Sequence, residues 1–370
     1  GDNTRALRQL GLGYANLGAL LMTLGLPYDS DDGRAWAAAI TSLMTGSAYA
    51  ASARTAARVG PFEGFADDSE AMLHVLEMHQ EANDRLAENE ALPDDLVDAA
   101  ADAWERAVSD AQRHGVRNSQ ATVLAPTGTI GLAMDCDTTG IEPDLALVKT
   151  KKLVGGGTMS IVNQTIPRAL RRLGYSAGQI DDIVAYIDEN MSVIGAPHLA
   201  ADHLPVFACS MGDNTIHYEG HIRMMGAVQP FLSGGISKTA NMPEDVTVED
   251  VEGLHMLAWE LGLKSVAIYR DNCKLGQPLS SSKSAAAEPA GEVEIVERVV
   301  HHPVRQKMPR TRRGRTFEFR VADCKGFATI GEYDDGQPGE IFLTVSKQGS
   351  TMAGVMDAFA KSVSYGLQYG

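Results

Sequence analysis

The chain has 370 residues, of which 44% are hydrophobic and 22% are charged, and its formal net charge is −16 at pH 7. This balance excludes a wholly disordered chain, and the negative charge argues against direct nucleic-acid binding. No run of eighteen apolar residues occurs, so we expect no membrane span, and the length predicts one large or two unequal domains.

The first 120 residues have helical periodicity. Leucines recur at helix spacing from Leu17 to Leu24, and Gly25 provides a stop. The acidic segment 29–32 offers N-cap chemistry for an Ala-rich helix that follows it. The helices predicted after this segment lie at 34–58, at about 69–90 and at about 93–115.

Beyond residue 120, short buried strands alternate with helices, which is typical of an α/β fold. Residues 120–124 form an apolar, β-branched run that ends before Pro126 and predicts a strand. The other predicted elements are a helix with a capping box at Ser176 and Gln179, a helix from Thr247 to Gly262, and a strand at 265–269.

A change of composition predicts the domain organisation. Residues 279–291 are rich in Ser, Ala and Pro and cannot bury a core, so a linker is expected there. After it the hydrophobic period becomes two, and an apolar helix face then runs from Met352 to Leu367. We predict an α/β domain at 1–278, a linker at 279–300, and a small α+β domain of about three strands and one helix at 301–370.

The cysteines are far apart and include no C-x-x-C pair. Neither a disulfide framework nor a zinc site is predicted, so we expect no bound metal and a cytoplasmic location. The chain begins without an initiator Met or a signal peptide, and we expect it to be a portion of a longer protein. The cysteines are Cys136, Cys209, Cys273 and Cys324.

The turn at 125–131 is the first candidate binding segment. A strand that stops at a Pro and opens into a Thr/Gly turn exposes several backbone N–H groups, as a phosphate requires, and Gly128 has no Cβ in the way. The turn lacks the lysine of a Walker A loop, and taken alone a structural strand-to-helix turn is the commoner meaning. The candidate residues are Ala125, Pro126, Thr127, Gly128 and Thr129.

Three further polar segments are weaker candidates. Four carboxylates surround Cys136 at 135–144, where metal binding competes with capping of neighbouring helices. Lysines precede a glycine run at 149–157, where phosphate steering and a solvated turn explain the pattern equally well. The segment 221–241 could line a pocket, although a lone histidine such as His221 is more often a structural group.

Six motifs along the chain carry a family resemblance. They are Ala-Pro-Thr-Gly-Thr-Ile-Gly at 125–131, Gly-Ile-Glu-Pro-Asp at 140–144, Lys-Lys-Leu-Val-Gly-Gly-Gly at 151–157, Gln-Pro-Phe-Leu-Ser-Gly at 229–234, Ser-Lys-Thr at 237–239 and Tyr-Arg-Asp at 269–271. In this order they resemble the catalytic chain of the adenosylcobalamin-dependent (class II) ribonucleotide reductases. The segments 11–13 and 26–30 also resemble that chain, and parts of 339–350 resemble the small C-terminal domain of many members.

The resemblance implies the later part of a ten-stranded α/β barrel, with adenosylcobalamin as cofactor. In the family, homolysis of the cobalt–carbon bond leads to a cysteine thiyl radical, which abstracts the 3′ hydrogen of a ribonucleotide substrate. The implied product is a 2′-deoxyribonucleotide for DNA synthesis and repair, and the implied partners are a dithiol reductant such as thioredoxin, nucleotide effectors and a second copy in a homodimer. By the same resemblance, the substrate phosphates are held by Ala125, Pro126, Thr127, Gly128 and Thr129.

The family's radical cysteine has no match in this chain. It lies in an Asn-Pro-Cys-x-Glu motif upstream of the segment that resembles 11–13, and no Asn-Pro-Cys occurs here. The catalytic residues are therefore unassigned, and Cys136, whose thiolate is disfavoured by Asp135 and Asp137, is expected to have a local structural role. Three hypotheses stay open: a portion of a class II enzyme, a catalytically silent nucleotide-binding module, or a large chain of the iron-dependent class.

Overall fold

The computed structural model describes residues 1–152, 158–271, 273, 305–321, 324–345 and 351–369. The chain divides into two compact units, 1–288 and 289–370. The predicted linker at 279–300 and the glycine run at 155–157 lie outside the described residues. Within the described part of the chain, no helix is both long and apolar enough to cross a membrane.

Helices form most of the first 115 residues, as the periodicity predicts. The second of them ends at Gly25, whose φ of 75° is the left-handed conformation that suits glycine, and the third begins after Ser30, whose hydroxyl accepts a hydrogen bond from the Gly33 N–H. The fourth begins at Phe65, earlier than predicted, and the Phe65 ring packs edge-on against Phe62. The helices are α1 (Asp2–Leu7), α2 (Leu17–Leu24), α3 (Asp31–Val59), α4 (Phe65–Asp84), which a 3₁₀ turn (Arg85–Glu88) extends, and α5 (Asp94–His114).

Three extended segments then lie side by side in parallel. Leu12 pairs with Thr122, and Leu124 pairs with Ile236. The predicted strand at 120–124 is thus an extended segment with one pairing on each side. Because the segments run in parallel, their carboxyl ends lie at one edge, where the 125–131 turn begins. The described residues form this open parallel arrangement and not a closed barrel.

The remaining elements of the first unit surround this arrangement. The predicted capping box at Ser176 with Gln179 is present, and the helix predicted from Thr247 begins with a second capping box, formed with Asp250. The lysines at 149–152, for which phosphate steering and a solvated turn were equally open, lie on the first strand of an antiparallel hairpin. The elements are α6 (Gly128–Ala133), β1 (Val148–Lys152), β2 (Thr158–Val162), α7 (Ile166–Arg172), α8 (Ala177–Asn190), α9 (Tyr218–Val228), β3 (Thr239–Met242), α10 (Val248–Glu260) and β4 (Ala267–Arg270), with 3₁₀ turns at Ala201–Phe207 and Gln229–Phe231.

The core of the first unit holds the carboxyl ends of the parallel segments in place. Strands β3 and β4 pair in parallel, as expected for an α/β fold. Buried aliphatic side chains from α2, α9, α10 and the extended segments meet in one cluster: Leu21, Leu124, Ile222, Val228, Ile236 and Leu254.

The second unit is a three-stranded antiparallel sheet with one helix, which confirms the predicted α+β content. The sheet order is β5–β6–β7, and Val345 of the last strand and Ala360 of the helix are buried. Arg315 of the first strand pairs with Glu332 of the second at 3.0 Å. The elements are β5 (Arg313–Val321), β6 (Cys324–Glu332), β7 (Pro338–Val345) and α11 (Thr351–Tyr369).

Candidate functional site

The predicted phosphate turn lies at the carboxyl end of the central extended segment. Leu124 is completely buried, and the chain reaches the surface directly after it. Thr127 has a φ of 50°, a left-handed conformation that is uncommon for a β-branched residue. This conformation lets α6 begin immediately, at Gly128. The exposed residues of the turn are Ala125, Pro126, Gly128, Thr129 and Ile130.

The start of α6 offers a group of adjacent hydrogen-bond donors. The first bond that closes the turn runs from the Gly131 N–H to the Thr127 carbonyl at 2.6 Å. The three preceding N–H groups, of Gly128, Thr129 and Ile130, have no acceptor among the described residues, as expected for a first helical turn. A Cβ placed on Gly128 would have no atom within 4 Å. The turn therefore combines free donors with open space, which is what an anion requires.

A second loop, residues 139–142, contacts the turn through Gly140. The Gly140 N–H donates a 2.6 Å hydrogen bond to Thr127 Oγ1. Gly140 has a φ of 50°, and a Cβ there would lie 2.6 Å from the Ala125 carbonyl oxygen, so only glycine fits. The Leu17 N–H at the start of α2 in turn donates to the Gly140 carbonyl at 3.4 Å. The turn is thus held by residues of two other segments.

The carboxylates of the 135–144 loop bind several different groups. Asp137 Oδ2 accepts a 2.6 Å hydrogen bond from the Thr165 hydroxyl, and Asp144 accepts one from the Asn163 side-chain amide. Among the described residues, no group of three or more His, Cys, Asp and Glu side chains is arranged to hold a metal ion. These two carboxylates attach the loop to the start of α7.

Glu142, in the same loop, forms a buried ion pair that the sequence analysis did not predict. Lys238 Nζ lies 2.6 Å from Glu142 Oε2, and the lysine side chain has no exposed surface. The ammonium group also donates to the Thr239 carbonyl at 3.2 Å and lies 2.7 Å from His221 Nδ1, so each of its three protons has an acceptor. Burial lowers the pKa of Lys238, and the Glu142 carboxylate opposes that shift.

His221 belongs to this cluster and is not a solvated group. We assign the ring proton of His221 to Nε2, because Nδ1 faces an ammonium group and must accept from it. Nε2 has no hydrogen-bond partner among the described residues. Burial, followed by the charge of Lys238, lowers the pKa of His221 well below 6.5 and keeps the imidazole neutral. The ring centroids of Tyr28 and His221 are 6.4 Å apart, and the Tyr28 hydroxyl donates to the Ile141 carbonyl at 2.6 Å.

The residues of this cluster lie in segments that the sequence analysis noted, but the sequence did not indicate that they contact one another. Lys238 and Glu142 each lie in one of the six motifs, and His221 lies in the polar segment that was expected to line a pocket. Nothing local indicates that an ion pair joins two residues 96 positions apart.

The structure gives the cysteines no common site. Cys209 is buried, with its sulfur 3.6 Å from the Phe207 carbonyl oxygen. Cys136 is half-buried and Cys273 is exposed. The side chain of Cys324 lies outside the described residues.

Comparison with known proteins gives two family matches. Residues 1–269 match the family described as ribonucleotide reductase, barrel domain. Residues 301–370 match the TSCPD domain.

Individual relatives agree with these matches. The vitamin B12-dependent ribonucleotide reductase of Streptantibioticus cattleyicolor is 55% identical over 370 residues, which cover 100% of this chain and 62% of the relative. The enzyme of the same name from Streptomyces coelicolor is 54% identical over 381 residues, which cover 100% of this chain and 39% of the relative. The vitamin B12-dependent ribonucleoside-diphosphate reductase of Mycobacterium tuberculosis is 32% identical over 283 residues, which cover 76% of this chain and 34% of the relative. The chain thus spans less than two thirds of the length of each of these relatives.

Proposed function

Because the chain belongs to the ribonucleotide reductase family, we propose that it supplies the substrate-phosphate-binding part of a vitamin B12-dependent ribonucleotide reductase. The full-length protein reduces ribonucleotides to 2′-deoxyribonucleotides for DNA synthesis. Its reductant is a dithiol such as thioredoxin, and it is regulated by nucleotide effectors and forms a homodimer. The parallel segments of the first unit are part of a ten-stranded barrel that other residues of the full-length protein complete.

The observation that supports this proposal is the donor group at the start of α6. The N–H groups of Gly128, Thr129 and Ile130 are adjacent and have no acceptor among the described residues. A phosphate presents several acceptor oxygens and a negative charge, so it can accept from all of them at once. The free space at Gly128 allows the phosphate to approach the backbone closely.

Adenosylcobalamin, the cofactor that the relatives' names imply, is bound by the full-length protein. Two cavities of the described residues do not fit a corrinoid, which is larger than the ligands that occupy sites of about 300–1,000 Å³. One is a cavity of about 40 Å³ beside Val148 and Cys209, and the other is an open groove of about 370 Å³ beside Arg310 and Phe342. The residues of the phosphate turn bind the substrate and not the cofactor.

The lack of an Asn-Pro-Cys motif favours a narrower function for the isolated chain. Without the family's radical cysteine, residues 1–370 act as a nucleotide-binding module. Reduction then requires the full-length protein.

A substitution at Gly128 tests the proposal. In the full-length protein, Gly128→Val fills the space in front of the donors, and its Cβ has no atom within 4 Å, so we expect nucleotide binding to be affected and folding to be retained. We expect the Kd for CDP and CTP, measured by equilibrium binding, to rise about tenfold or more, as for lost hydrogen bonds to a charged group.

The matched control is Gly178→Val. Gly178 also lies in the first turn of a helix, α8, and a Cβ there also has no atom within 4 Å. This variant should bind both nucleotides like the wild type. An unchanged Kd in Gly128→Val would contradict the proposed role of the turn.

A further inference from the structure

Lys238 lies in the protein interior although an ammonium group is costly to bury. Its side chain has no exposed surface and is fully hydrogen-bonded. A buried ion pair adds little net stability compared with well-packed apolar residues, but removal of one partner leaves an uncompensated charge. Glu142 therefore cannot move away from Lys238 without a large cost, and the pair acts as a rigid link.

The link joins the start of β3 to the loop behind the phosphate turn. One carboxylate oxygen of Glu142, Oε2, binds Lys238, and the other, Oε1, accepts a 2.9 Å hydrogen bond from the Thr239 N–H. Both partners lie at the beginning of one strand. The Glu142 side chain thus has its position fixed by two bonds to adjacent residues.

The same loop reaches the phosphate turn two residues earlier. The Glu142 N–H donates to the Thr139 carbonyl at 2.9 Å, so residues 139–142 form one tight turn. Within it, Gly140 donates to Thr127 Oγ1 and lies against the Ala125 carbonyl. A displacement of Glu142 is therefore transmitted to Thr127.

We propose that Lys238 is a positioning residue for the 125–129 turn and acts on it through Glu142 and Gly140. The inference rests on the proposed function of that turn. Lys238 holds Glu142, Glu142 holds the tight turn at 139–142, and Gly140 holds Thr127 in its left-handed conformation. That conformation sets the direction of the N–H groups that follow, at the start of α6. Lys238 itself makes no contact with substrate.

The test measures the contribution of the phosphates to binding. In the full-length protein, the Kd for cytidine divided by the Kd for CDP measures how much the phosphates contribute to the binding affinity. We expect Lys238→Met and Glu142→Gln each to reduce this ratio about tenfold or more, because small displacements of binding groups have effects of this size. The affinity for cytidine should stay unchanged, whereas a merely structural defect would weaken both ligands.

Lys264→Met is the control for the loss of a hydrogen-bonded lysine; unlike Lys238, Lys264 is exposed. Lys264 Nζ donates to the carbonyls of Leu232, Ser233 and Gly234 at 3.0–3.1 Å, and the described residues show no hydrogen bond or ion pair between it and the 139–142 turn. This variant should keep the wild-type ratio. Circular dichroism should show cooperative unfolding for every variant that is compared.

The outcomes separate this inference from the proposed function. If Gly128→Val reduces the ratio while Lys238→Met and Glu142→Gln leave it unchanged, the positioning role is wrong and the phosphate turn stands. If Gly128→Val also leaves it unchanged, the turn does not bind phosphate and the proposed function fails. If Lys238→Met does not fold, Glu142→Gln decides, because glutamine keeps the side-chain size and an oxygen for the Thr239 N–H.

Discussion

Gly140 donates a 2.6 Å backbone hydrogen bond to the side-chain oxygen of Thr127, thirteen residues earlier in the chain. This contact stabilises a left-handed β-branched residue at the point where the phosphate turn becomes α6. The conformation of the turn is therefore determined by a neighbouring loop as well as by its own sequence.

The glycines at 128 and 140 should respond differently to the same substitution. Gly140→Ala places a Cβ 2.6 Å from the Ala125 carbonyl in a left-handed conformation, whereas Gly128→Ala meets no atom within 4 Å. We expect Gly140→Ala to lower the free energy of unfolding by about 1–3 kcal/mol and Gly128→Ala to change it by less than about 0.5 kcal/mol. Urea unfolding of the 1–370 chain measures both, and equal stability of the two variants would contradict this description of the loop.

Two buried histidines should make stability depend on pH. Burial lowers the pKa of His79 below 6.5, although its Nδ1–H donates to the Pro230 carbonyl, and burial also lowers the pKa of His221. Below pH 6.5 the unfolded chain takes up protons that the folded chain does not, so the free energy of unfolding falls as the pH decreases. We expect a loss of about 1 kcal/mol per histidine between pH 7.5 and 5.5.

Substitution of one histidine tests this assignment. In His79→Gln, the change in unfolding free energy between pH 7.5 and 5.5 should be about 1 kcal/mol smaller than in the wild type. His74→Gln, an exposed histidine of the same helix α4, is the control and should keep the wild-type change. The same pH dependence in His79→Gln and in the wild type would show that His79 is not held neutral.

Local signals in the sequence predicted much of the fold. The capping box at Ser176, the helix start at Thr247 and the glycine stop after Leu24 depend only on residues within one turn of the helix end, and all three are where they were expected. Pairing between distant segments left no such signal. The lysines at 149–152 resembled a solvated turn because the partner strand of β1 follows only after a glycine run.

The candidate site was predicted only in part, because local patterns are visible in the sequence and contacts between distant segments are not. The residues 125–129 carry their own Thr/Gly pattern, so the turn could be identified from the sequence. The contacts that shape it come from Gly140, and the link to Lys238 joins positions 96 residues apart. Neither contact has a local sequence signature, since a buried ion pair depends on the fold that brings its partners together.

The boundary between the two units should be the first site of proteolysis. Composition predicts a linker at 279–300, and protease cuts concentrate where few contacts cross. Limited trypsin digestion should cut first at Lys283 or within 305–315 and release a large core and a small C-terminal fragment, identified by mass spectrometry. Early cuts inside 120–270, with Lys283 resistant, would show that the two-domain description is wrong.

The isolated 1–370 chain should reduce no ribonucleotide. The radical cysteine and the glutamate that the family resemblance implies have no match in it, so adenosylcobalamin and dithiothreitol cannot supply the missing groups. Chromatography of CDP and CTP reactions should show no deoxyribonucleotide above a boiled control. Any time-dependent product would mean that one of the four cysteines carries the radical after all.

The most direct test of the central claim is the position of the substrate phosphate. A crystal structure of the full-length protein with a bound ribonucleotide should place a phosphate oxygen within about 3.2 Å of the backbone nitrogen of Gly128, Thr129 or Ile130. A ribonucleotide bound with its phosphates on other residues, and with these three N–H groups in contact with solvent only, would contradict the account.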